Sequence, residues 1–100
     1  MTKFLHILIS VGFFITVLNN TDVSRNCFLY WVDHPYHYNE PVNIHGGEYD
    51  PGESFTLSQE YKPGIYKAQW TIPRSNETKT YFFVSHDRKK ITLTPTGVGK

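Results

Sequence analysis

The residues best equipped for chemistry are histidines. His34 and His37 flank Pro35-Tyr36, and His45 follows a little later. Two imidazoles three positions apart in a loop can converge on one metal, and nitrogen ligands of this kind suit zinc or copper. Asp33 or Glu40 would add an oxygen ligand. This set defines one reading of the chain, an extracytoplasmic copper- or zinc-binding protein that uses His34, His37 and His45. Against it, the chain has a single Cys and no His-Glu-x-x-His. His45 also alternates outward from its expected strand, so no cofactor is expected.

Tyrosines form the second group. Tyr36, Tyr38 and Tyr49 fall in stretches that read as loops. A tyrosine beside polar residues offers a rigid apolar face and a hydroxyl, the combination contact surfaces favour. Residues 33–49 are therefore the first place to look for a partner site. The leading functional expectation is a non-catalytic binding module with a protein or glycan partner. A small secreted effector or toxin is a further alternative, but it would need an exposed apolar face, which no segment plainly offers.

Catalytic sets are harder to draw, and no enzyme activity is expected. Ser58, His86 and Asp87 are present, yet nothing resembles a Gly-x-Ser-x-Gly elbow. Cys27 with His37 makes a thiol pair on paper, but Cys27 sits in an apolar strand pattern, where a thiol is inert. Asn76-Glu77-Thr78 is a glycosylation acceptor in an expected hairpin loop if the source is a eukaryote, and Asn19-Asn20-Thr21 has the same form.

The elements that position these residues begin after an apolar start. Lys3 precedes a nearly unbroken apolar run over 4–18, which ends at Asn19-Asn20-Thr21-Asp22. A positive start, a short apolar stretch and a polar exit describe a secretory signal, expected over 1–20. The run lacks the polar face of an amphipathic core helix. No small-x-small pair marks a cut between Val17 and Arg25, and an uncleaved anchor is the alternative, the one route to a membrane. The protein is accordingly expected to be secreted, extracellular or, in a bacterium, periplasmic. Cys27 as a lipid attachment site is disfavoured by the bulky, charged Ser24-Arg25-Asn26 before it.

Removing 20 of 100 residues leaves about 80, one domain near the lower limit of a self-sufficient core. It is expected over 27–95, with a flexible tail at 96–100. A lone Cys27 makes no internal bridge, so it is either a buried strand residue or a disulfide to a second chain, which would make a dimer. Aromatic residues, 16% of the chain, must then supply much of the core. The net charge of +1 is too balanced for nucleic acid as a main partner. Arg88-Lys89-Lys90, beside Asp87, reads as a solvated turn and edge guard.

Strand and turn signals alternate along the rest of the chain, with no helix. Strands are expected over 27–32, 42–45, 54–58, 66–72, 78–85 and 90–94. The first is apolar on both faces, as in a central strand. Gly46-Gly47 should end the second, and Phe55 and Leu57 should be buried in the third. The fourth is the clearest, with Tyr66, Ala68, Trp70 and Ile72 on one face and Lys67, Gln69 and Thr71 on the other. Asp50-Pro51-Gly52-Glu53 and Lys62-Pro63-Gly64-Ile65 carry the same turn chemistry, proline second and glycine third. About six short strands spaced by turns predict an all-β fold, a small antiparallel β-sandwich.

The run Tyr61-Lys62-Pro63-Gly64-Ile65-Tyr66-Lys67-Ala68 resembles the entry to a late strand of immunoglobulin-like domains. The resemblance covers eight residues. It implies an immunoglobulin-like sandwich in which the Tyr66 hydroxyl bonds back to the corner before its strand. Ala68 stands where antibody domains place their second Cys, so the inter-sheet disulfide is absent.

Overall fold

Side chains that alternate between covered and wet along extended chain build this fold. The computed structural model describes residues 13–37, 39–57, 61–84 and 90–99. Within these there are eight strands in two four-stranded sheets and no helix, an arrangement compatible with a β-sandwich. The strands are β1 (Phe14–Leu18), β2 (Arg25–Trp31), β3 (Val42–Tyr49), β4 (Ser54–Thr56), β5 (Ile65–Thr71), β6 (Thr78–Val84), β7 (Lys90–Thr94) and β8 (Gly97–Gly99).

One sheet has the order β3-β2-β5-β6 and is antiparallel throughout. The other has the order β4-β1-β7-β8, with β1 parallel to β7 and the remaining pairs antiparallel. Both sheets feed one core. Cys27, Leu29, Tyr66, Ala68, Trp70 and Phe83 from the first meet Phe13, Ile15, Val17, Ile91 and Leu93 from the second. The Phe13 ring meets Tyr66 edge-on at 5.3 Å.

The β5 alternation is as expected, with Tyr66, Ala68 and Trp70 fully buried, although Ile72 lies past its end and is half-buried. The turn before β4 also forms as expected, with Gly52 at φ 81° and Glu53 N donating to Asp50 O at 2.9 Å. The second proline-glycine turn differs. Gly64 does not adopt positive φ. It is needed for proximity instead, because a Cβ there would lie 2.8 Å from Asp33 Oδ1 and 2.9 Å from Trp31 Nε1.

Other expectations are corrected. Gly46-Gly47 does not end β3, which runs on to Tyr49. Gly46 leaves room for the Phe28 ring across the ladder, where a Cβ would come within 3.1 Å of it. β4 stops at Thr56, and of its two apolar residues only Leu57, just beyond, is buried; Phe55 remains 51% exposed. The chain end is not a loose tail over 96–99. Pro95 is buried, Gly97–Gly99 pairs with β7, and Thr94 Oγ1 donates to Gly97 O at 2.9 Å. Tyr81 Oη ties the same corner down by donating to Thr94 O at 2.6 Å.

The segment read as a leader over 1–20 divides. Residues 1–12 lie outside the described residues. From Phe13 onward the chain is core: Phe13, Ile15 and Val17 are fully buried, and β1 lies between β4 and β7. Asn19 then plugs the end of the strand. Its Nδ2 donates to Val23 O and to Tyr49 O, both at 2.9 Å, while its Oδ1 accepts from Thr21 N and Oγ1. Arg25 closes the same end, its Nε donating to Thr21 Oγ1 and its Nη1 lying 3.7 Å from Glu77 Oε2.

Candidate functional site

The loop after β2 is organised by one carboxylate. Asp33 Oδ1 accepts from Trp31 Nε1 at 2.8 Å and from Ile65 N at 2.9 Å, joining the loop to the start of β5. Val32 N, one step beyond the ladder, donates to Ile65 O. His34-Pro35-Tyr36-His37 then forms a turn closed by His37 N donating to His34 O at 3.0 Å, with proline at its favoured second position. Tyr36 N donates to His34 Nδ1, which makes that nitrogen an acceptor and leaves the proton of the neutral ring on Nε2. Tyr36 stands at the tip, 83% exposed.

A run of rings supports this turn from within. Phe83 stacks on Tyr66 at 5.7 Å, Tyr66 on Trp31 at 5.6 Å, and the Trp31 ring meets His34 at 4.5 Å. His34 in turn contacts His37 at 4.9 Å and Tyr36 at 5.9 Å. Tyr66 Oη donates to Lys62 O, the bond that the immunoglobulin-like resemblance implies. The turn therefore rests on rigid core side chains.

Beside the turn lies a surface that strand patterning did not single out. Inner-facing residues of the first sheet pair as Leu29–Ala68–Tyr81 and Trp31–Tyr66–Phe83. The rows between them face outward. Ile65 pairs with Val84 next to Val32, and Tyr30–Lys67–Phe82 forms the adjacent row. Phe82 is 63% exposed, Val84 50% and Ile65 40%. Lys67 Nζ lies 4.8 Å from the Tyr30 ring centroid, a cation–π contact that keeps its charge within the patch. Phe82 and Val84 escape sequence reasoning because Tyr81-Phe82-Phe83-Val84 is apolar on both phases. Only the sheet order shows which phase lacks a cover.

The expected site residues are dispersed. Tyr36 is on the surface and Tyr38 lies outside the described residues. Tyr49 is not on a loop; it ends β3, is buried, and shares a hydrogen bond with His45 Nε2 at 2.7 Å. Burial pushes the Tyr49 hydroxyl up to about 12 and holds His45 below its ordinary range. His45 also stacks at 6.3 Å on Phe55, and so turns to the side of the sandwich, away from the His34–His37 pair. Among the described residues no group of three or more His, Cys, Asp or Glu comes together as a metal site would need. Asn76 is exposed in the β5–β6 turn, whereas Asn19, the other acceptor triplet, is fully buried. Ser58, His86, Asp87, Arg88 and Lys89 lie outside the described residues.

Cys27 is fully buried, and burial pushes its thiol up to about 12. A protonated, covered thiol is a poor nucleophile. An open groove of about 570 Å³ runs along Val23, Ser24, Asn26, Glu48, Ile72, Pro73 and Arg74 at the far end of the sheet from the His34–His37 turn. It offers one carboxylate and one guanidinium and none of the histidines. No family model matches the chain, and no curated protein or solved structure shows significant similarity to it.

Proposed function

We propose that this chain is an exported, non-catalytic binding module whose contact surface is the outer face of β2, β5 and β6 together with Tyr36. The observation that carries the reading is the pair of adjacent rows that leave Ile65, Phe82 and Val84 exposed on the outer face of β5 and β6. An antiparallel sheet usually buries one face and wets the other. Here the second face is apolar as well, with aromatic rings of the kind that dominate the centres of protein contacts. A protein partner suits this chemistry best, and an acidic group on that partner would meet Lys67.

An immunoglobulin-like sandwich is the fold we infer beneath this surface. Its support is the Tyr66 corner and the order β3-β2-β5-β6, which corresponds to the C′-C-F-G order of a variable-type sheet. The parallel pairing of β1 with β7 and the missing disulfide are departures from that family.

The test is retention of host-surface proteins on the immobilised full chain, compared with Tyr36→Ala and with Phe82→Ser/Val84→Thr. The expected result is loss of the same retained protein in both variants, at least tenfold by quantitative mass spectrometry, with unchanged circular dichroism. Undiminished retention by both variants would remove the assignment of the surface.

A further inference from the structure

At one side of the molecule the two sheets meet through consecutive edge strands. β3 is the outermost strand of the first sheet, β4 that of the second, and the Asp50–Glu53 turn carries the chain between them. Among the described residues no ladder joins β3 to β4, so side chains close this side. His45 and Tyr49 stand on the inner phase of β3, opposite Leu29 and Arg25, and Phe55 stands on the inner phase of β4, opposite the fully buried Val17. The His45 and Phe55 rings lie 12° from parallel with centroids 6.3 Å apart. Between His45 and Tyr49 comes Gly47, which pairs with Cys27 and has no side chain to cover it. A Cβ at Gly47 would lie 3.5 Å from both His45 Nε2 and Tyr49 Cε1, so the two rings close over the glycine and meet at Nε2–Oη, 2.7 Å. Their closure covers the Cys27 thiol from the β3 side.

This cover depends on one proton. A neutral imidazole can accept the Tyr49 hydroxyl proton at Nε2, whereas an imidazolium has no lone pair there and carries a charge among apolar neighbours. Burial holds His45 below its ordinary 6.5, and the Tyr49 hydroxyl, pushed up to about 12, stays neutral. The groups around the ring give an imidazolium no counter-charge. On β3 these are Tyr49 and Asn43, whose Nδ2 donates to His45 O at 3.1 Å. On β2 they are Leu29 and the protonated Cys27 thiol, and on β4 Phe55 between Ser54 and Thr56. The carboxylates of the connecting turn are spent locally, Asp50 on the Ser24 hydroxyl at 2.9 Å and Glu53 on the Asp50 amide at 2.8 Å. His45 belongs to no metal-binding group among the described residues. We propose that His45, Tyr49 and Phe55 form an acid-released latch on the β3–β4 side: protonation frees His45 from Tyr49, its ring turns out to water, and the inner face around Cys27 becomes accessible while both sheets persist. The open form binds the proton more tightly than the closed one. The latch is therefore at full strength above about pH 6.5 and weakens as the pH falls below it.

Cys27 is the chain's single cysteine and so reports the opening without ambiguity. The experiment measures its reaction, in the full chain, with a small uncharged disulfide from pH 7.5 to pH 5. Each rate is divided by that of the urea-unfolded chain at the same pH, which removes the thiol's own titration. Protection of the wild type should fall about threefold or more toward pH 5, with unchanged circular dichroism. In His45→Phe, whose ring covers Gly47 without titrating, protection should stay flat. A flat wild-type profile, an equal fall in His45→Phe, or a fall that coincides with loss of circular dichroism overturns the proposal. If His45→Phe does not fold, the wild-type imidazole resonances decide. A His45 midpoint below 6.5 that matches the midpoint of Cys27 exposure supports the latch, and one at or above 6.5 overturns it.

Discussion

Asn19 and Asn20 are chemically identical neighbours, and the structure gives them opposite weights. Asn20 is exposed; Asn19 is fully buried. The Asn19 side chain donates to Val23 O and Tyr49 O and accepts from the amide and hydroxyl of Thr21. Replacing it by alanine removes all of these at once. Three of the partners sit where water reaches, so each loses only about 0.5 kcal/mol net. The bond to Tyr49 O is buried, and that carbonyl loses a donor that water does not replace, about 1–3 kcal/mol. The sum is about 3 kcal/mol, a large part of the ~5–15 kcal/mol that holds a domain together. At roughly 4–8 °C per kcal/mol for a domain of this size, Asn19→Ala should melt about 12–24 °C below wild type. Urea unfolding followed by tryptophan fluorescence gives the same quantity independently. Asn20→Ala, the internal control, should fall within about 0.5 kcal/mol of wild type. If Asn19→Ala also falls within that margin, the plug contributes nothing and the reasoning that closes this end of the sandwich fails.

Two further outcomes follow from the core. Tyr66→Phe removes the bond to Lys62 O and leaves the stack on Trp31 and Phe83 in place, so it should cost about 1 kcal/mol by urea unfolding, with the m-value unchanged. Stability should also fall in alkali. Burial holds the Cys27 thiol at about 12 in the folded chain, against an ordinary value of 9.0, and the Tyr81 hydroxyl at about 12, against 10.0. The unfolded chain therefore releases these protons first, and stability present below pH 9 is lost progressively as the pH rises toward about 12. Urea midpoints measured from pH 8 to 11 should decline, less steeply in Cys27→Ala; a flat profile would contradict the burial of both groups.

What was legible in the sequence follows from what one period can say. In Ile65–Thr71 each polar residue separates two apolar ones, so the pattern admits one inward phase, and the structure adopts it. The Asp50–Glu53 turn was legible for an equally local reason, since its glycine needs positive φ. Phe13 to Leu18 was not, because an apolar run without polar spacing fits a leader, a buried strand and a membrane segment alike. What decides for strand is pairing on both sides with β4 and β7, distant along the chain and invisible to any window. Thr94 to Gly99 failed for a similar reason: Pro95 and two glycines look like punctuation until Tyr81, far upstream, is found holding the Thr94 carbonyl. Tyr49 lies on a strand and not on a loop because β3 continues through Gly46-Gly47, where the missing Cβ of Gly46 leaves the space that the Phe28 ring on the neighbouring strand fills.

The two outer faces of the molecule sharpen the functional argument. On the second sheet the outward positions of β1, β4 and β7 mix Thr16, Ser54, Thr56 and Thr92 with Phe14 and Leu18, and Thr16 Oγ1 lies 2.9 Å from Thr56 Oγ1. Hydroxyls bonded to one another and to water are what an uncovered sheet face ordinarily carries. The first sheet has the same strand count, and its outward positions carry a larger apolar set, Phe28, Tyr30, Ile65, Phe82 and Val84, alongside Asn26, Lys67, Gln69 and Thr80. Folding does not require these outward rings, since the core is filled from the opposite phase of the same strands. Within Thr78–Val84 itself β6 carries one charge, Lys79 near its start, and no proline, and its ladder with β5 runs without a bulge. An apolar face of this kind, with Phe82, Val84 and Ile65 exposed, invites association. A solubility-driven sequence would have placed threonine or lysine at Phe82 and Val84, as the other sheet does at Thr16, Thr56 and Thr92. The residues that patterning leaves ambiguous are therefore the same ones that a partner would need.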